Sequence, residues 1–585
     1  MKEKIDLKIR KNRKQSLAKG TFILTFSIFL VKVLGMMFRV FVTGMIGPVG
    51  ATCFTVAYEI YNPLFALSTA GFPVAVARLV SKNIALGRYK DVKRIYRVSV
   101  PMFFYTGFIG MILMILASFF VPDLMKIPDA KYAIIALSPT LLFACLMSIY
   151  RGYHQGLRNV IPTAVSEIIE ASCKFFIGFL VSFFIIDFSK KEFLQKGTFF
   201  GLSCSSLQEV MKRVIPLASS GAIFGVTFGA MLGFLYLYFT HKKIGDGFTK
   251  ENLLTSPEPE SKKNTVKSLF KTAIPIGAGS IFFNIASFID VTLILERIRY
   301  VMLLDPETLL SQYKNIIPSS DLDNIHGFLL GCFSFTTPLV MMIPAITQGL
   351  GTVSLPAVTR AFTKKDSEKL KKSVESVIKM MLLFTVPAGI FVSVLGPNLL
   401  MLIYPHRPEA VFVASKVIPL LGFAVIFQAC SLPVTSMLQA VGRVDLPLKI
   451  VSLGLILKII VNYIFVGIPR INIGGAGLGT LAGYLFILAV SLFMLLKKNH
   501  IKLDFSKTFF MPVMVSSLFG ISLVIFKFVF VNVFNNFFTV IFSLILSLAL
   551  YFILLICLKI ILPEEIKKIP FLGNLFLKFF NKKKD

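Results

Sequence analysis

The residues of this chain that could do chemistry are charges set among apolar neighbours. Lys32 and Arg39 lie within Thr21–Met45, 25 residues otherwise free of charge. Such a run is long enough to cross a bilayer core of roughly 30 Å. Each charge at a helix centre costs about 2.5–3.5 kcal/mol on insertion scales. Seven residues apart on a helix, the pair falls within about 20° of one face and roughly 10 Å apart along the axis. That face must look at protein or water, which predicts a cavity role. The plainer reading has Arg39 snorkel to the nearer membrane end. Lys32, mid-span, has farther to reach.

Other apolar runs repeat the pattern. Glu59 is the only charge between Ala51 and Ala77, and a structural partner for Arg39 is its plainer role. Glu167, Glu170 and Lys174 are spaced three and four apart in "IPTAVSEIIEASCKFFIGF", so they line one face. Glu170 before Lys174 is the favourable i,i+4 order for an ion pair. Asp290 lies in "IFFNIASFIDVTLIL", and Lys458 and Asn462 share a face of "VSLGLILKIIVNYIF". An Asp290–Lys458 ion pair within the second lobe is one expectation for these groups. The buried inventory is four cations, Lys32, Arg39, Lys174 and Lys458, against four acids, Glu59, Glu167, Glu170 and Asp290. The skew is positional, since the first span carries only positive groups.

Of the 585 residues, 55% are hydrophobic and mean hydropathy is +0.78, which predicts an all-α polytopic membrane protein. The formal charge of +32 would suggest nucleic acid in a soluble chain. Here the basic residues cluster between apolar runs, as the positive-inside rule requires, and no nucleic-acid partner is expected. The seven cysteines form no CxxC pair and read as small buried hydrophobes, and the five histidines show no ligand spacing. No metal and no cofactor are expected. No P-loop, nucleophile elbow, HExxH or dinucleotide fingerprint is present, so the chain reads as a membrane path and not an enzyme.

Fourteen spans are expected, at about 21–45, 52–77, 98–122, 131–150, 160–187, 218–240, 272–296, 326–350, 376–397, 411–437, 446–468, 475–496, 508–531 and 536–562. The segment between the fifth and sixth reads as an external loop with an amphipathic helix. The N-terminal tail holds eight Lys/Arg, Arg78–Arg97 seven, 241–271 seven and 360–372 six. These fall on one side, which places both termini in the cytoplasm and agrees with an even span count. The tail reads as uncleaved.

An internal repeat supports the division. "AVARLVSKN" at 75–83 resembles "AVTRAFTKK" at 357–365, an offset of 282, and "GYHQGLRN" at 152–159 resembles "SMLQAVGR" at 436–443, an offset of 284. Lys174 and Lys458 follow at the same 284. Six helices per copy make a parallel repeat. The expected domains are a basic cytoplasmic tail 1–20, an N-lobe 21–240, a cytoplasmic linker 241–271, a C-lobe 272–496, two further helices in 497–562 and a basic cytoplasmic tail 563–585.

In its spans, its repeat and its intramembrane charges the sequence resembles the multidrug/oligosaccharidyl-lipid/polysaccharide exporter superfamily. "SKNIALGRYKDVKRIYR", "YRGYHQGLRNVIPTAVSEIIE" and "KTAIPIGAGSIF" resemble its polysaccharide biosynthesis branch, which includes sporulation and cell-wall proteins. The resemblance implies a monomeric flippase of the bacterial cytoplasmic membrane. Its substrate would be a lipid-linked oligosaccharide, such as lipid II of peptidoglycan synthesis or another polyprenyl-pyrophosphate sugar. It implies alternating access of two lobes around a central cavity, and it implies that Lys32 and Arg39 contact the pyrophosphate, with Glu59, Glu167, Glu170 and Lys174 nearby. Some members hold a cation with acidic and amide groups of the seventh and eleventh helices. Asp290 and Asn462 match those positions, but Lys458 on the same face speaks against a sodium site. Rival readings are a cation-coupled multidrug antiporter of the same fold, which would favour carboxylates and aromatics in its cavity, a membrane glycan polymerase, and a scaffold for wall or spore-coat assembly.

Overall fold

The computed structural model describes residues 17–560 apart from 70, 314–315, 444, 500 and 559. The tails expected at 1–20 and 563–585 therefore lie largely or wholly outside the described residues. Among the described residues, twelve helices are long and apolar enough to cross a membrane. A pair bent by 43°, Ile325–Ser334 with Thr337–Gly349, is long and apolar enough together to form a further, broken span.

The first helix, α1 (Leu17–Thr69), is itself two crossings. It breaks at Gly47, where φ is 70° and ψ −173°, a conformation open in practice to glycine alone. Pro48 follows, its fixed φ suited to restarting a helix. Arg39 hydrogen-bonds Thr55, 16 residues away, whereas an unbroken helix would set them about 24 Å apart. The chain therefore folds back at Gly47, and the architecture of about fourteen spans read from the sequence stands. The second arm stops before Gly71 (φ 75°), and α2 (Phe72–Ala85) continues as a separate helix, so the expected span 52–77 is broken near its end.

The remaining helices follow in order: α3 (Tyr89–Leu124), α4 (Ala130–Gly156), α5 (Ile161–Lys196), α6 (Leu207–Ile244), α7 (Lys262–Leu304), α8 (Ile325–Ser334), α9 (Thr337–Thr363), α10 (Ser367–Ile403), α11 (Pro408–Ala440), α12 (Asp445–Val466), α13 (Gly475–Lys498), α14 (Met511–Val531) and α15 (Asn536–Cys557). Between α5 and α6 the expected loop with an amphipathic helix is replaced. α5 runs on to Lys196, a small hairpin pairs Thr198–Phe199 with Leu202–Ser203, and the amphipathic stretch is the first turns of α6. Ser206 caps α6 by accepting from the Glu209 backbone N–H at 3.2 Å.

The chain divides into two compact units. The first is Met1–Pro338 with Asn462–Ile473, and the second is Leu339–Val461 with Gly474–Asp585. In the first, α6 carries Gly221, Gly225, Gly229 and Gly233, one per turn. A Cβ at Gly225 would strike the Gly178 backbone, one at Gly229 the Glu170 carbonyl, and one at Gly233 Met147. Four small residues on one stripe let α5 and α6 meet backbone to backbone, as membrane helices without a hydrophobic driving force must. Gly178 of α5 in turn receives the ring of Phe38 from α1. The glycines thus fix Arg39, Glu170 and Lys174 on adjoining surfaces.

The segment 245–261 lies along the start of α3. Lys90 Nζ meets Glu258 at 2.8 Å and Arg88 meets Glu260 at 3.6 Å. The Glu260 backbone N–H donates to Asp91 at 2.8 Å and Tyr153 donates to Asp246 at 2.6 Å. Lys90 beside it holds the Glu258 carboxyl below the usual carboxylate range. In the second unit, α14 and α15 pack on α10. Lys527 Nζ donates to the Val394 carbonyl, and the Tyr551 hydroxyl to that of Leu383, each at 2.8 Å.

A Cβ at Gly331 of α8 would enter the Pro48 backbone at the α1 turn, whereas one at Gly35 meets nothing within 4 Å. Gly331→Ala should therefore destabilise the protein by about 1–3 kcal/mol, the range for overpacking. Gly35→Ala should be neutral or stabilise by up to about 1 kcal/mol. Thermal unfolding of the two purified variants in detergent checks the ordering.

Candidate functional site

The site is built on the first unit, where both arms of α1 meet α4, α5 and α8. Arg39 is half-buried on the first arm. Its Nη2 donates to Thr55 Oγ1 at 3.1 Å, and its guanidinium carbon stands 4.7 Å from the Phe54 ring centre. Thr55 is anchored at the Ala51 carbonyl (2.8 Å) and lies 3.2 Å from the Ser334 hydroxyl of α8. A hydroxyl and an aromatic face are among the groups that hold the guanidinium in place.

Lys174 of α5 sits in a similar cage. Its Nζ donates to the Tyr58 hydroxyl at 3.2 Å and lies 5.0 Å from the Phe38 ring and 5.3 Å from that of Tyr58. The spacing predicts a Glu170–Lys174 pair, and the structure corrects this. Glu170 is taken by Arg151 of α4, Nη2 to Oε2 at 2.9 Å. Arg151 also donates from Nε to Ser166 at 3.0 Å. The physical reason is direction. Side chains on a helix lean toward its N-terminus, which carries Glu170 toward the turn holding Ser166, where a planar guanidinium can bridge the two. Among the described residues, Lys174 has no carboxylate partner.

Glu59 is half-buried on the second arm, one turn beyond Thr55. Glu167 is half-buried on α5, within electrostatic reach of Arg151 and Glu170. Lys32 is exposed, on the same arm as Arg39, and makes no hydrogen bond or ion pair among the described residues. Asp290 is buried and accepts from Asn462 Nδ2 at 2.6 Å. Lys458 belongs to the second unit, where it packs on Gly483.

Three features escape a reading of charges alone. Arg151 falls at the edge of the fourth span, where a basic residue looks like a loop residue. Thr55 and Ser334, the hydroxyls around Arg39, carry no sequence signal. The third is a row of aromatic rings along the second arm of α1. Phe54 stacks on Tyr58 at 4.8 Å, Tyr58 meets Tyr61 edge-on at 5.9 Å, and Tyr61 stacks on Phe65 at 5.5 Å. Its signal was available in "FTVAYEIYNPLF", which sets rings three or four residues apart. The row runs from the Arg39 cage past Lys174, and Tyr61 lies within electrostatic reach of Glu170 and Arg151.

Comparison with known proteins agrees with this architecture. Residues 17–195 match the family model described as polysaccharide biosynthesis protein, and residues 326–464 match MatE. The chain is 22% identical to the lipid II flippase MurJ of Bacillus subtilis (strain 168) over 528 residues, 88% of this chain and 89% of that protein. It is 22% identical to stage V sporulation protein B of the same organism, over 81% of this chain and 82% of that one. Its fold resembles an inward-facing multidrug resistance MATE family transporter of the MOP superfamily (TM-score 0.59, 13% identity, 80% of this chain and 94% of the other). It also resembles MurJ in an inward closed conformation (TM-score 0.54, 14% identity, 91% and 98%). These matches bear out the resemblance to the exporter superfamily.

The Arg151–Glu170 pair gives a quantitative expectation. Arg151→Met and Glu170→Gln should each destabilise, and the double variant should fall short of their sum by about 0.5–3 kcal/mol, the coupling of contacting residues. Glu170→Gln and Lys174→Gln should add to within about 0.5 kcal/mol. Denaturation midpoints in detergent measure both cycles, and coupling confined to Glu170 and Lys174 would contradict the assignment.

Proposed function

We propose that this chain moves a lipid-linked glycan, a polyprenyl-pyrophosphate sugar such as lipid II, across the bacterial cytoplasmic membrane by alternating access. The observation that carries the reading is Lys174. A half-buried ammonium in a membrane-crossing helix is costly unless something neutralises it. The acid one turn away is engaged by Arg151 at 2.9 Å, and the cage around Lys174 is a hydroxyl and two rings. An anionic ligand is the natural complement. A diphosphate offers several charged acceptor oxygens, which suit the planar fork of Arg39 and the mobile point charge of Lys174 or Lys32.

The aromatic row supplies the second half of the recognition. Sugar rings present apolar C–H faces that stack on aromatic side chains. Tyr58, Tyr61 and Phe65 extend such faces away from the two cations. In this reading the diphosphate sits at Arg39 and Lys174, the first sugars lie along the row, and Glu167 and Arg151 bond the glycan's polar groups. The similarity to a lipid II flippase over 88% of the chain supports the substrate class.

The further elements of the proposal follow the sequence. Lobes 21–240 and 272–496 rock about the cavity, both termini are cytoplasmic, and a single copy suffices. Asp290, bonded by Asn462, is the coupling element. A multidrug antiporter of the same fold is less supported, because an organic cation gains nothing from Lys174 in a neutral cage.

Reconstituted transport tests the reading. Arg39→Lys keeps charge but loses the fork and should slow translocation of lipid II or another undecaprenyl-linked sugar substantially. Lys32→Arg should be tolerated better, and Arg39→Ala should be the most damaging while still inserting normally. Glu59 is the rival explanation for Arg39. Recovery of transport in an Arg39→Met/Glu59→Gln double variant would reject the substrate role.

A further inference from the structure

The chain turns two basic corners that are built alike and finished differently. α2 meets α3 through residues 86–88, and α9 meets α10 through 364–366. Arg78 and Lys82 near the end of α2 match Arg360 and Lys364 around the end of α9 at the repeat offset of 282. The first corner is covered by the chain itself. The acidic strap 256–260 lies on it, with Glu258 on Lys90 and Glu260 on Arg88 and Asp91. The second corner holds instead a cavity of about 380 Å³, whose lining includes Arg360, Lys364, Asp366, Lys369 and Lys372.

The charges of that cavity do not cancel. Its one lining carboxylate, Asp366, caps α10 by accepting from the Lys369 backbone N–H at 3.0 Å and pairs with Lys369 Nζ at 2.9 Å. Lys372 meets Glu368 at 2.7 Å. Arg360 and Lys364 make no ion pair among the described residues. The lining also includes the methyl groups of Ala357 and Ala361. Lys372 lies four residues before the apolar span expected from 376, about 6 Å along the helix, which is headgroup depth.

We infer that this corner binds the phosphate of an anionic membrane phospholipid, in the place that the acidic strap occupies on the first corner. A soluble phosphate would satisfy the same cations, but the alanine methyls and the depth of Lys372 favour a ligand already anchored in the bilayer. Basic residues just outside a span attract anionic lipid in this way.

Native mass spectrometry of the purified full-length protein tests the inference, with phosphatidylglycerol as probe and phosphatidylcholine as control. The protein should retain one phosphatidylglycerol more than phosphatidylcholine. Arg360→Gln/Lys364→Gln should lose that molecule, with retention at least tenfold weaker, while Arg78→Gln/Lys82→Gln keeps it. Glu258→Gln/Glu260→Gln should uncover the first corner and add a second phosphatidylglycerol, a gain that misfolding cannot produce. Unchanged lipid counts in the Arg360/Lys364 variant would overturn the site. Displacement of the lipid by millimolar inorganic phosphate would overturn the lipid assignment and make the ligand a soluble anion.

Discussion

A charge within a membrane must be paired, wetted or met by a ligand, and this constraint organises the first unit. Arg151 and Glu170 solve it by pairing across α4 and α5 at 2.9 Å. Lys174, one turn along, is met by ring faces and a hydroxyl. Because a guanidinium takes the acid one turn back, Lys174 has no carboxylate partner among the described residues. At Arg39 a bond to Thr55 and a contact with the Phe54 ring orient the fork. Cation–π contacts suit this purpose, since they hold a cation by about 0.5–2 kcal/mol while leaving its net charge intact.

The arrangement depends on close helix packing. The glycine stripe of α6 and Gly178 of α5 remove the side chains that would otherwise separate the helices, which brings Phe38 and Lys174 into one cage. The turn at Gly47 and Pro48 then returns the second arm of α1 beside the first, so Phe54, Thr55 and Tyr58 face the groups of the first arm and α5. Local backbone chemistry at a few small residues thus sets where the charges of three helices converge.

Much of this was legible in the sequence. Hydropathy gave the spans, because bilayer thickness fixes their length, and "MIGPVG" marked the first reversal. The buried charges were visible for the same reason that they are unusual. Their partners were less so. The i,i+4 rule paired Glu170 with Lys174, because it considers one helix in isolation. The guanidinium that won came from α4, through a tertiary contact that no single-helix pattern contains. The amphipathic start of α6 was read as a separate element because sequence alone does not reveal that the helix continues through it. The acidic strap is visible as "SPEPES" at 256–261 and the basic cluster at 88–97, far apart in the chain, and only the fold brings the two together.

In the proposed function the aromatic row and its two cations hold a diphosphate-linked sugar. Site-specific photocrosslinking addresses it directly, with a photoreactive phenylalanine analogue replacing Tyr61 in the full-length protein in membranes. The expected result is a crosslink to an undecaprenyl-pyrophosphate sugar that excess unlabelled substrate removes, and that is lost when Lys174 and Arg39 are both replaced by Gln. A crosslink to bulk phospholipid alone, or one indifferent to the two cations, would contradict it.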